Sequence, residues 1–350
     1  MSYPFETFGD RFNPKHNAIG LLRLILALLV IIQHSFALNG INDPLSNIGF
    51  INFGAIGVYG FFILSGFLIT ASWTNTQSII RFTLKRVIRI FPAFWMCLIL
   101  TTFLGSFLIL KINGTEFTFQ LFKSQLGYIS NNVFLIINQP SIGGLTDTLQ
   151  EKSLNGSLWT LAYEFLFYML LGFAGLFGIL KHKAPTILLI TIYIVTYWLS
   201  DCKCTIFFKV YTSQQVAILP YMFGVGVIFN VLLNSIIYSK LIFLASVCLF
   251  IIDIFYNKSM PLYPFFLAYI LLWLSINLPL KTIENFGDFS YGIYIYHFPI
   301  IQIILLTKSN FTPWMLVIIT IIPTFFLAFL SWNFIEKPAL RLKILLNKSR

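Results

Sequence analysis

Ten apolar stretches, most of them close to the length that crosses the hydrocarbon core of a bilayer, constrain this chain more than any motif in it. They cover residues 18–38, 52–73, 91–110, 157–180, 184–200, 213–234, 240–256, 260–279, 289–307 and 312–334. A core of ~30 Å takes ~20 helical residues. The fifth and seventh stretches, at 17 residues each, are short for it. Composition agrees, since 58% of the 350 residues are apolar and 10% charged, against ~25% charged in a soluble domain. A soluble enzyme, a disordered chain and a fibrous repeat are excluded. The expected fold is an all-α integral membrane bundle of about ten transmembrane helices.

With the N-terminus inside, loops on one side hold fifteen of the 23 Lys and Arg residues and those on the other hold seven. The positive-inside rule then puts both termini in the cytoplasm. It also gives the net charge of +11 a membrane use, with no nucleic acid among the partners. The expected division is a cytoplasmic segment 1–17, a membrane domain 18–334 and a basic cytoplasmic tail 335–350. One long outer connection, 111–156, carries turn signals at Asn113-Gly114, Asn131-Asn132 and Gly143-Gly144. A connection of that length is expected to lie on the membrane surface or to cover a site. The first stretch holds Arg23, Gln33 and His34 and is too polar for a cleaved leader, so it is expected to be retained. Of the cysteines Cys97, Cys202, Cys204 and Cys248, the second and third are too close for an easy disulfide. No His partners them, so neither a disulfide nor a metal site is expected.

Ionisable residues inside apolar spans are costly, which makes each a functional candidate. Arg23 and His34 are eleven residues apart, about three helical turns, so they share a face ~16 Å apart. Arg23 either snorkels to the inner headgroups or serves the chemistry. His34 either satisfies a hydrogen bond within the bundle or acts as a general base, because imidazole titrates near neutrality. Glu164 lies in the fourth stretch at a depth similar to that of His34. It either orients that imidazole or bonds a neighbouring Tyr or Trp for packing. His297, in the ninth stretch, has no partner visible in the sequence and reads first as structural.

Arg81, Lys85, Arg86 and Arg89 precede Pro92, the start signal of the third span. Arg86 and Arg89, three apart, share a helix face. The cluster is either positive-inside punctuation or a patch for phosphates. Gly54, Gly57, Gly60 and Gly66 permit close helix approach. No P-loop, dinucleotide fingerprint or nucleophile elbow occurs.

Together these stretches resemble the acyltransferase-3 family of integral-membrane acyltransferases, which decorate bacterial surface sugars. The family's Arg, ten residues, His pattern is similar to Arg23 through His34, and its second-helix pattern to Gly57 through Ile69, with Ser65 in it. Its Arg-x-x-Arg motif is similar to Arg86 through Arg89. Trp159–Glu164, Ser290–Pro299 (with Tyr291 and His297) and Phe334–Pro338 complete six stretches in order over residues 23–338.

The resemblance implies an O-acyltransferase, by family habit an O-acetyltransferase, in the bacterial cytoplasmic (inner) membrane. No cofactor is held permanently; cytoplasmic acyl-CoA is the donor substrate. The acceptor is a hydroxyl of a surface or exported glycan or glycolipid: O-antigen, capsule or other exopolysaccharide, with peptidoglycan also compatible. His34 is then the catalytic residue, assisted by Arg23 and Glu164. Arg86 and Arg89, with Lys85, meet the CoA phosphates. About sixteen residues follow the last span, so the form expected is one without an added hydrolase-like domain. The competing class is a glycan or lipid transporter, which intramembrane Arg, His and Glu suit equally well on physics alone. The absence of an inverted repeat stands against it.

Overall fold

The computed structural model describes residues 5–48, 51–184, 186–188, 190–191, 217–256, 262–281, 283, 286–307 and 310–348. Most of the expected span 184–200, together with Cys202 and Cys204, lies outside the described residues. The helices are α1 (Phe8–Arg11), α2 (Ile19–Leu38), α3 (Phe53–Thr76), α4 (Ile79–Leu100), α5 (Ser106–Asn113), α6 (Phe119–Asn132) and α7 (Trp159–Leu176). They continue as α8 (Leu219–Val231), α9 (Lys240–Tyr256), α10 (Tyr263–Asn277), α11 (Ser290–Leu306), α12 (Pro313–Ser331) and α13 (Lys337–Lys348). Five continuous helical stretches are long and apolar enough to cross a membrane: Ile19–Leu38, Phe53–Thr76, Ile79–Asn113, Trp159–Leu176 and Pro313–Leu342. α8, α10 and α11 are shorter apolar helices, so ten full-length spans are not what the described helices supply.

Their outward faces are apolar. On α12, Ile318, Ile322, Phe326 and Phe329 are exposed at spacings of four, four and three, one stripe of a helix. Lipid accepts such a stripe and water does not.

Two sequence expectations change here. The third span starts at Ile79, not at Pro92, because the Ser78 side chain accepts a hydrogen bond from the backbone N–H of Arg81 and caps the helix there. Pro92 sits inside α4, where its ring removes a single backbone donor. Arg81, Lys85, Arg86 and Arg89 are therefore helical residues. A π-helical turn, Thr101–Gly105, joins α4 to α5. The connection 111–156 is also more ordered than a loop. Gly114 ends α5 in the left-handed region, at φ +63°. Thr118 then caps α6 through the N–H of Leu121.

After α6 the chain is strapped down by buried amides. Asn132 donates to the Gln139 carbonyl at 2.7 Å. Gln302, fully buried on α11, donates to the carbonyls of Glu151 and Ser153 at 2.7 and 2.8 Å. Residues 151–156 thereby lie along α11, with Asn155 donating to the Ile295 carbonyl at 2.8 Å.

The centre of the bundle is the packing of α3 between α2 and α8. Gly57 and Gly60 lie against Leu26 and Val30 of α2. Gly66 and Gly226 form a reciprocal contact, each against a backbone carbonyl of the other helix. A Cβ on Gly66 would stand 2.1 Å from the Phe223 carbonyl oxygen, and one on Gly226 would stand 2.0 Å from that of Ile63. Neither obstacle is a flexible side chain, so the helices must part. Gly66→Ala and Gly226→Ala are each expected to cost about 1–3 kcal/mol or more, read as a lower thermal midpoint in detergent. Gly105→Ala, whose Cβ meets nothing closer than 3.9 Å, is expected to behave as wild type. Equal midpoints for all three would refute this account of the α3–α8 contact.

Candidate active site

A cavity of about 300 Å³ opens between α2, α3, α4, α7 and α11. Its polar lining includes Arg23, Ser65, Ser72, Arg86, Arg89, Thr160, Glu164, Tyr168 and Tyr291. Six of the ten candidate residues read from the sequence, Arg23, Ser65, Arg86, Arg89, Glu164 and Tyr291, thus meet on one wall system. Lys85, His34, Trp159 and His297 do not line it. Lys85 donates instead to the Thr76 hydroxyl at 3.1 Å. Trp159 packs its ring edge-on against Tyr163.

Four charges hold one end of the cavity. Asp288 accepts from Arg23 at 2.5 Å and also from Arg89. The second guanidinium nitrogen of Arg89 reaches Glu336 at 3.2 Å. Ser290 donates to Asp288, and Ser331 to Glu336. Burial by itself would push the Asp288 carboxyl up, but the two guanidiniums outweigh it and hold it well below the usual carboxylate range. Tyr291 supports the cluster, offering its ring face to Arg89 and donating its hydroxyl to the Ile90 carbonyl at 2.9 Å.

This arrangement separates two arginines that the sequence treats as a pair. Arg89 is committed to carboxylates. Arg86 reaches the Ser72 hydroxyl at 3.3 Å, and its buried Nε has no partner. Among the described residues no carboxylate pairs with Arg86. Glu164 is turned to its own neighbours, accepting from Ser65 at 2.9 Å and from Tyr168. Of the two readings of Glu164, the structure shows the bond to a neighbouring Tyr and not the orientation of His34. A hydroxyl on α3 and another one turn along α7 both donate to one oxygen of that carboxylate, Oε1.

His34 has a different partner. Its Nδ1 lies 2.7 Å from Nε2 of His297, with the rings nearly parallel at 20°. With both imidazoles neutral, the protons in this pair follow from elimination. Nδ1 of His297 lies 3.1 Å from the Ile293 carbonyl, which can only accept, so that nitrogen carries the hydrogen. Nε2 of a neutral His297 is then an acceptor, His34 must donate through Nδ1, and the lone pair on Nε2 of His34 is left to take a proton. His297 is fully buried, and the partner that the sequence did not show for it is His34. Asp288 and the contact between the two histidines are the parts of the site that sequence reasoning did not find. The signal for Asp288 was an acid two residues before an apolar helix in a chain with only 12 Asp and Glu.

Asp288→Asn leaves two poorly exposed guanidiniums without their shared counter-charge. It is expected to destabilise the protein by about 3–5 kcal/mol, visible as a lower thermal midpoint in detergent. An unchanged midpoint would mean that the cluster holds nothing together.

Comparison with known proteins places the chain in a family. The family model described as "Acyltransferase domain" matches residues 16–333. An O-acetyl transferase of Shigella phage Sf6 is 30% identical over 332 residues, covering 92% of this chain and 96% of that protein. Nodulation protein 10 of Rhizobium leguminosarum bv. viciae is 28% identical, with 93% and 94% coverage. The peptidoglycan O-acetyltransferase OatA of Listeria monocytogenes is 27% identical over 81% of this chain, which spans about half of that relative (51%). No solved structure matches the chain. The family match sets the transport reading aside. With its outward apolar helices, its internal charged cavity and this match, the chain belongs to the acyltransferase-3 family and is a multi-pass membrane acyltransferase.

Proposed function

We propose that this protein is an O-acetyltransferase that moves an acyl group from cytoplasmic acyl-CoA to a hydroxyl of a surface or exported glycan, across the bacterial inner membrane. The observation that carries this reading is the His34–His297 contact. It leaves a base with a defined tautomer about three turns along α2 from Arg23, one of the arginines that line the neighbouring cavity. The cavity end at Arg23, Arg86 and Arg89 is then cytoplasmic, as the positive-inside rule prefers.

Arg86, which has no carboxylate partner among the described residues, binds a phosphate of CoA, and a guanidinium suits that task better than an ammonium. Glu164 and Ser65 offer an acceptor and a hydroxyl along the wall, matched to the amide groups of the pantetheine arm. Arg23 and Arg89 position the wall through Asp288. At the far end, Nε2 of His34 takes the proton of the acceptor hydroxyl as that oxygen attacks the thioester carbon. The new C–O bond forms and the C–S bond breaks. The proton then passes from His34 to the CoA sulfur, which leaves as the thiol. His297 accepts from Nδ1 of His34 throughout and stabilises the imidazolium without itself changing protonation. Residues 151–156, lying along α11 near this pair, face the acceptor side.

The test is mass spectrometry of surface glycans from a strain lacking the gene, complemented with wild type, His34→Ala or His297→Ala. Wild type is expected to restore an ester-linked acyl group and His34→Ala to abolish it with membrane insertion intact. His297→Ala is expected to slow transfer about 10²-fold with the donor KM little changed, since it removes support for the base and not a contact to the donor. Full acylation by His34→Ala would remove His34 from the chemistry.

A further inference from the structure

The cavity and the histidine pair are neighbours without being one space, and the side chain of Tyr294 borders both. Tyr294 lines the cavity. It stands three residues before His297 on α11, with its ring centroid 6.1 Å from that imidazole. The ring of Phe61, on α3, meets it edge-on at 5.8 Å. The Tyr294 hydroxyl is hydrogen-bonded to the Thr160 hydroxyl on α7 at 2.6 Å. Tyr294 is buried, and its ring is thus fixed at the tip by α7 and at the flank by α3. Neither His34 nor His297 lines the cavity.

We propose that Tyr294, latched by Thr160, is the partition through which the acyl group passes from the cavity to His34, and that it sets the width of acyl group the enzyme accepts. The proposal rests on the reading of the cavity as the acyl-CoA site. A donor held by its phosphates at Arg86 presents the acyl group as its leading end. That end meets Tyr294 before it meets either histidine. The ring yields by giving up one hydrogen bond, and Phe61 limits how far it swings. An acetyl group needs a narrow opening, and an acyl group branched next to the carbonyl needs a wider one. Tyr294 contacts no reacting atom in this scheme and acts as a specificity-determining residue. Its latch on α7 leaves the tautomer of His34 untouched.

The experiment uses membrane vesicles from cells that carry the protein with its own acceptor, with vesicles lacking the protein as background. They are supplied with labelled acetyl-CoA or isobutyryl-CoA, and label in the polymer fraction is counted. In Tyr294→Ala and Tyr294→Leu the isobutyryl-to-acetyl ratio of kcat/KM is expected to rise at least tenfold, the scale on which pockets discriminate single methyl groups. Thr160→Val, which deletes the latch and keeps the ring, is expected to raise the ratio two- to threefold. Folding is checked by monodisperse elution in detergent, and either Tyr294 variant that passes suffices. A ratio within twofold of wild type in a folded Tyr294 variant would overturn the partition while the donor reading stands. Wild-type vesicles that transfer label from neither thioester would instead overturn the donor reading, and the partition with it.

Discussion

A carboxylate withdrawn from water between two guanidiniums is stable only while all three groups stay together. That constraint organises this bundle. Asp288 precedes α11, Arg23 is on α2, Arg89 on α4, and Glu336 follows α12. The attraction between such charges repays desolvation only with good geometry and further hydrogen bonds, and Ser290 and Ser331 provide two of those. Four helices distant in sequence are thereby tied at one level, where Arg23 and Arg89 line the cavity. The cluster also leaves one cavity arginine, Arg86, with charge to offer a ligand.

The histidine pair shows an equally local asymmetry. Two imidazoles in contact could exchange donor and acceptor roles, and then neither would be a defined base. The Ile293 carbonyl removes that freedom, because it can accept a hydrogen bond and never donate one. The helix backbone of α11 thus decides which nitrogen of His34, on α2, is basic. Comparable logic orients the histidine of hydrolase triads, where a carboxylate does the orienting. A neutral histidine does it here, and adds no net charge to the membrane interior.

How much of this was legible follows the range of each interaction. The membrane class and most helix positions come from apolar runs of span length, which need no partner to be read. The glycine stripe of α3 was legible for the same reason. The start of α4 was misread because Pro92 is a strong local punctuation mark, whereas the Ser78 cap is a weak one. Helix α6 was hidden by its own buried face. Leu121, Gln125, Tyr128 and Asn132 point inward, and a face half polar leaves no hydrophobic period to detect.

The sequence by itself determined that the chain lives in a membrane and that Arg23 and His34 share one face of a helix. It also determined that basic residues gather near one end of the third span. Each of these follows from composition or from the 3.6-residue turn. Only the tertiary structure decided what those residues touch. Asp288 lies 265 residues from Arg23, and His297 lies 263 from His34. No local period encodes such a distance. The choice between a committed Arg89 and an available Arg86 is made by where α11 and α12 place two carboxylates.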